Sequence, residues 1–321
     1  MQGVVNSTAT ATDLDQNGAG NFAGRVEQAT RALKLRPNQQ FGVITYIDSG
    51  GDSYYHAAQF TLRKRFEKGL LFGFAYTFGK SIDNQSVDPV GSSSGGGLST
   101  TNSRTPTNIR NWRGERGRSD FDRTHVLSAN GIWELPIGKG KWLKTENGIL
   151  NTIAGGWAVN GIFTRMSGEP FTPISGVRTA NFSHVSRVDV IKPVEAKLQD
   201  SPSGPVLFAD KSAFAIPQPG SDGAGRNIFT GPSYWNLDIG INKNFRLSER
   251  FSLDFRVEMF NALNHANFDN IRDASVTGSS SLISPNFGQT CCAAVAPPTT
   301  QTIIQTGEAA RVIQFAMKLK F

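Results

Sequence analysis

The end of the chain constrains its fold most. Ile313, Phe315, Met317, Leu319 and Phe321 are apolar, and Gln314, Ala316, Lys318 and Lys320 alternate with them. Successive side chains of a strand point to opposite faces, so this segment reads as a strand with one apolar and one polar face. The same period recurs upstream. Phe251, Leu253, Phe255, Val257 and Met259 alternate with Ser252, Asp254, Arg256 and Glu258. Trp235, Leu237, Ile239, Ile241 and Phe245 alternate with Asn236, Asp238, Asn242 and Asn244.

The N-terminal half repeats the pattern. Phe60, Leu62 and Phe66 alternate with Gln59, Thr61, Arg63 and Arg65, and Leu70, Phe72, Phe74, Tyr76 and Phe78 with small or polar residues. Weaker strands are expected at 125–135 and 157–165, and one more at 41–47. About eight strands and little helix result. Helical turns are expected only at 25–35 and at 147–154, where Ile149 and Ile153 are i,i+4 neighbours.

The connections differ in kind. Glu67, Lys68 and Gly69 read as a three-residue hairpin loop closed by a left-handed glycine. The link 247–250 is equally short, and 136–156 is intermediate. By contrast, 80–123, 166–233 and 264–308 are long and rich in Gly, Ser, Pro, Asn and Thr. Unstructured loops of that length are rare inside compact soluble domains. Long loops on one rim and short turns on the other describe an antiparallel up-and-down transmembrane β-barrel, here a partial one.

A soluble sandwich would bury the apolar faces against each other. Three features favour lipid instead. The polar faces carry charge at mid-strand. Trp133, Trp157, Tyr234 and Trp235 sit near strand ends, like an interfacial aromatic girdle. The chain also stops on an aromatic residue of an alternating strand. In this reading Gln59, Arg63, Arg65, Asp238, Asn242, Asp254, Arg256, Glu258, Gln314 and Lys318 face a lumen.

Three stretches resemble the Oar-like branch of TonB-dependent outer-membrane receptors. The first spans 54–83, from Tyr54-Tyr55-His56 through Arg63-Lys64-Arg65-Phe66 and Ala75-Tyr76-Thr77 to Lys80-Ser81-Ile82-Asp83. The second spans 119–141, with Ser119-Asp120-Phe121-Asp122-Arg123-Thr124-His125 and then Glu134-Leu135-Pro136-Ile137-Gly138-Lys139-Gly140-Lys141. The third runs from Gly231-Pro232 through Arg256-Val257-Glu258-Met259-Phe260-Asn261 and Asn264-His265 to Phe321. The resemblance implies a barrel of roughly 22 strands, an N-terminal plug and a motif that contacts TonB. Neither plug nor motif is found here. The chain is therefore expected to be the C-terminal part of such a receptor, with 41–321 as barrel and 1–40 as a loop or incomplete N-terminal segment. The resemblance further implies that Ile313, Phe315, Met317, Leu319 and Phe321 form the signal read by the barrel assembly machinery. A receptor of this class also finishes on the periplasmic side, which places the long loops outside the cell.

Other chemistry is weak. His56, His125, His184 and His265 lie far apart without metal-ligand spacing. Gly95, Gly96 and Gly97 belong to no phosphate-binding motif. Asp120, Asp122, Arg123 and His125 are expected to hold a loop at the strand top through Arg–carboxylate pairs, together with Arg110, Arg113, Arg116, Arg118 and Glu115. Cys291 and Cys292 are adjacent and read as a loop feature. Asp48, Asp52, Asp83 and Asp88 could contact a cation or siderophore, although acidic loops suit any cell surface. No signal peptide is legible after Met1, because neither a basic nor an apolar stretch follows.

These observations predict an outer-membrane receptor barrel with no enzymatic activity and no cofactor. Its partners are outer-membrane lipid, the assembly machinery, and TonB only through a missing N-terminal part. A small complete porin or adhesin is the alternative. The net charge of +7 also admits a soluble β-protein binding nucleic acid. That reading needs aromatic platforms beside basic residues, whereas here aromatics and charges occupy opposite faces. No nucleic-acid partner is therefore expected.

Overall fold

The computed structural model describes residues 49–86, 107–108, 111–138, 141, 148–176, 187–202, 204–208, 210–218, 221–246, 248, 250–268, 270–271, 280–290 and 310–321. Seven long strands form one antiparallel sheet in the order β1 (Ser53–Glu67), β2 (Leu70–Asp83), β4 (His125–Glu134), β5 (Trp157–Met166), β10 (Tyr234–Arg246), β11 (Ser252–Phe260) and β12 (Val312–Lys320). The short β3 (Gly117–Arg118) adds to the end of β2. One helix, α1 (Gly148–Ala154), lies between β4 and β5. No helix among the described residues is long and apolar enough to cross a membrane. The sheet is open: β1 and β12 are its two edges. Both run from the long-loop rim to the short-turn rim, so they cannot close directly onto each other as an antiparallel pair.

The hydrogen-bond register turns seven separate alternations into one surface. Leu70, Trp133, Val159, Ile241, Val257 and Phe315 stand side by side across six strands. The next rows bring Phe74, Ala129, Phe163 and Leu237 together on the same face. A slip of one residue anywhere would send a whole strand's apolar set to the other side. The rows also climb. Leu70 is the first residue of β2, whereas Val257 stands five positions after Ser252, the first of β11. Such progressive stagger is what strand tilt in a barrel requires.

Among the described residues this apolar face packs on no second sheet. Phe315 and Met317 are 69% and 70% exposed. The soluble sandwich is thus not formed. Every buried hydrophobic residue among those described lies at or beyond the long-loop rim.

Two expectations are corrected at the first hairpin. β1 begins at Ser53, earlier than the alternation starting near Gln59, because Ser53 to Ala58 carry no period-2 signal. The loop has two residues, not three: Lys68 and Gly69, both with positive φ, of 53° and 80°. That is the turn geometry matching strand twist. The register shifts between Lys64 and Glu67, so Glu67 rather than Phe66 faces Leu70. A β-bulge absorbs the extra residue beside Arg65. The expected strand at 41–47, the helical turn at 25–35, and Cys291 and Cys292 lie outside the described residues. At 147–154 the helix forms as α1.

The long loops are not structureless. β6 (Pro170–Phe171) pairs with β9 (Phe229–Thr230), and β7 (Asp189–Val190) with β8 (Phe214–Ala215). They enclose a cluster of Phe171, Val188, Leu207, Phe208, Phe214, Phe229, Ile271, Leu282 and Phe287. Phe208 is its centre, with ring centroids at 4.8 Å from Phe214, 5.0 Å from Phe229 and 5.8 Å from both Phe171 and Phe287. Residues from two of the three long loops therefore form one cap. Truncating a buried Phe removes its transfer energy and leaves a cavity, at about 3–5 kcal/mol. Phe208→Ala is accordingly expected to open 187–230 to protease while the seven-strand sheet stays intact. Unchanged cleavage of those segments would contradict the cap's dependence on this cluster.

Candidate functional site

Beneath the cap, charged residues from loops far apart in sequence meet at the strand tops. Arg226 is the hub. Its guanidinium donates to the Asp83 carboxylate and, at 2.8 Å, to the Asp83 carbonyl. It also donates to the Glu115 carbonyl at 2.8 Å, to Asp120 Oδ1 at 3.3 Å and to Ser86 Oγ at 3.2 Å. Arg226 and Asp83 are 8% and 3% exposed. A buried charge of this kind is tolerated only when paired and fully hydrogen-bonded. The planar fork of arginine suits five acceptors in fixed directions.

A second buried pair flanks the first. Arg187 Nη1 donates to Glu115 Oε2 at 2.9 Å, and Glu115 Oε1 accepts from the Thr107 amide at 2.8 Å. Arg118 Nε donates to Asp122 Oδ2 at 2.8 Å, and Asp122 Oδ1 accepts from the Ser81 amide at 2.7 Å. Arg123 bridges to the next strand top, donating to Glu169 Oε1 at 2.7 Å and the Ser167 carbonyl at 2.9 Å. Asn227 Nδ2 donates to Asp120 Oδ1 at 2.6 Å and to the Arg118 carbonyl at 2.7 Å. The backbone fit is close: a Cβ at Gly117 would stand 2.6 Å from the Arg226 carbonyl oxygen.

Asp120, Asp122 and Arg123 are thus brought together, but His125 is not. Its ring lies on the apolar face, with Nδ1 at 2.8 Å from the Tyr76 hydroxyl and its centroid 5.2 Å from Phe78. Asp83 is committed to Arg226 and does not face solvent for a cation. Tyr234 also departs from expectation: it is buried on the polar side, whereas its neighbour Trp235 is on the apolar side and stacks on His265 at 4.0 Å. Burial pushes the His265 imidazole below its usual range. Arg187, Arg226 and Asn227 were not legible as partners, since more than 70 or 100 residues separate them from their acceptors.

The polar face below holds a concavity of about 680 Å³ between β4, β5, β10 and β11. Asn130, Asn160, Asn242, Asp254, Arg256 and Glu258 line it. Asn242 Nδ2 donates to Asn160 Oδ1 at 2.7 Å, and Asn244 and Lys320 both bond Asp254. A Cβ at Gly73 would stand 2.6 Å from Asn130 Oδ1, so glycine leaves that amide its space. Register puts Gln59, Arg63, Asp238, Asn242, Asp254, Arg256, Glu258, Gln314 and Lys318 on this one face. Arg65 falls within the bulge. Among the described residues no group of His, Cys, Asp and Glu could hold a metal ion.

Removing one partner of a buried ion pair costs about 3–5 kcal/mol, because the other charge is left uncompensated. Arg226→Met is expected to speed amide exchange at Ser81, Ser119 and Asp122, the backbone positions the network fastens. Arg226→Lys should rescue little, having no fork. Wild-type exchange in both variants would contradict the hub role.

Comparison with known proteins fits this architecture. The sequence model of the family described as outer membrane beta barrel domain matches residues 5–314. No curated protein and no solved structure matches the chain. With an eight-stranded antiparallel sheet, an unpacked apolar face and long loops on one rim, the chain belongs to the outer membrane β-barrel domain family and resides in the outer membrane.

Proposed function

We propose that the chain is the barrel wall of an Oar-like TonB-dependent receptor that takes up a ligand from outside the cell, without catalysis. The observation that carries the reading is the cap. Two long loops of one rim share a buried aromatic core and buried ion pairs tie the third to them, so that rim is a preformed structure. A preformed outer vestibule lowers the ordering cost of capturing a ligand. The apolar face contacts lipid, and the polar face lines the lumen with the nine residues named above. Direction adds support: the two sheet edges run the same way, so closure takes an odd number of further strands, as in a larger barrel. Plug and TonB contact then belong to other parts of the receptor, and transport belongs to the whole. The edge strand β12 is what the assembly machinery would pair with, since its outer row of N–H and C=O groups is unpaired.

The full-length protein in liposomes is expected to stay closed to arabinose and to be captured by the immobilised periplasmic domain of TonB. Swelling at porin rates without such capture would favour the porin alternative. The lipid assignment is tested separately. Val257 lies mid-strand on the apolar face, so Val257→Arg should destabilise the folded barrel by about 2–4 kcal/mol. Gln314→Arg, on the opposite face, should cost far less. Equal costs in a urea refolding titration would refute the assignment of faces.

A further inference from the structure

Cations interrupt the apolar rows at several places, with Lys64 opposite Phe72 and Arg165 opposite Trp235, and one of them, Lys243, is buried. Lys243 pairs in register with Trp157 on one side and Phe255 on the other, near the short-turn rim. Yet it is 4% exposed. Its ammonium donates to the Ile153 carbonyl at 3.2 Å and to the Gly155 carbonyl. It also lies 5.2 Å from the Trp157 ring and 4.8 Å from the Phe245 ring. Trp157 Nε1 donates to the same Ile153 carbonyl at 2.9 Å. These carbonyls are the C-terminal end of α1, where a helix has unsatisfied acceptors and partial negative charge. The turn that leads from α1 into β5 therefore does not hang free below the sheet. It is fastened on the outward, apolar side.

Gly155 and Gly156 make the fastening possible. Gly155 donates to the Asn151 carbonyl at 2.9 Å, and Gly156 has a φ of 75°, which turns the chain straight into β5. Ile153, in the last turn of α1, is 59% exposed, and Trp133 on the neighbouring strand is 48% exposed. Lysine charge is thus turned inward onto carbonyls, while apolar groups are turned outward. That inverts what a water-facing loop would do.

We propose that α1 is an interfacial foot, lying in the periplasmic leaflet at the boundary between phospholipid headgroups and acyl chains, with Ile153 inserted. The occupant of its outer side is phospholipid, because the surface is continuous with the apolar face of the barrel. An interfacial helix needs only its apolar side at that boundary, with no span. Lys243 acts as the latch that holds it there. The inference rests on the lipid assignment of the apolar face, and the experiment separates the two.

An environment-sensitive fluorophore is attached at Ile153→Cys, and in a second protein at Val257→Cys. Each full-length protein is reconstituted in phosphatidylethanolamine–phosphatidylglycerol vesicles containing nitroxide lipids. Emission at 153 is expected to be lost more to a nitroxide near the headgroup than to one deep in the acyl chain, with the reverse order at 257. Adding Lys243→Met should abolish the lipid quenching at 153 and leave that at 257. If 257 is quenched but 153 responds only to aqueous iodide, the foot is refuted and the lipid face stands. If lipid nitroxides quench 153 equally with and without Lys243, the latch is refuted. If neither site is quenched by lipid, the assignment of the face falls, and the foot with it.

Discussion

In hydrocarbon a backbone N–H or C=O finds no water, so each must be paired within the protein. For a sheet this makes register the controlling quantity. Seven strands of this chain hold registers that superimpose their apolar residues, from Leu62 opposite Phe74 to Val257 opposite Phe315. Among the described residues no buried core lies behind that face to enforce the arrangement. It is enforced by strand pairing itself and by the short turns, above all the Lys68–Gly69 turn and the bulge that precedes it. The bulge places Glu67 at the rim beside Leu70, where Lys64 reaches it at 3.5 Å.

The polar half of the molecule follows from the same register. Because the strands rise in step, the tops of β2 and β5 come within reach of 117–123, and Arg118 and Arg123 clamp them. Each clamp is a buried or half-buried Arg–carboxylate pair, and in the Arg118–Asp122 pair the second carboxylate oxygen accepts from the Ser81 amide. Solvent-exposed pairs such as Arg256 with Glu258 contribute little to stability by comparison. The aromatic cluster above then has a fixed floor.

Much of this was legible in the sequence, for a definite reason. Period-2 alternation is local, so β2, β10, β11 and β12 were visible, along with which residues share a face. The start of β1 was not, because Ser53 to Ala58 offer no contrast between neighbours. The bulge was hidden too, since a one-residue insertion leaves no mark in composition. At the rim, the carboxylates of 120–122 were recognised but Arg226, the partner of Asp120, was not, because a contact across 106 residues has no sequence period. The same holds for Phe171, Phe208, Phe214, Phe229 and Phe287, which read as scattered apolar residues in polar loops. Lys243, a charge inside an apolar row, is explained by α1, whose last carbonyls it meets.

The central claim is that one face of this sheet meets lipid and the other meets water. Spin labels placed singly along β12, from Ile313 to Lys318, in the reconstituted full-length protein test it most directly. Power saturation against oxygen, which concentrates in lipid, and against a water-soluble nickel chelate reads the surroundings of each position. The account predicts strict alternation, with 313, 315 and 317 accessible to oxygen and 314, 316 and 318 to nickel. Uniform nickel accessibility, or alternation in the opposite phase, would contradict it.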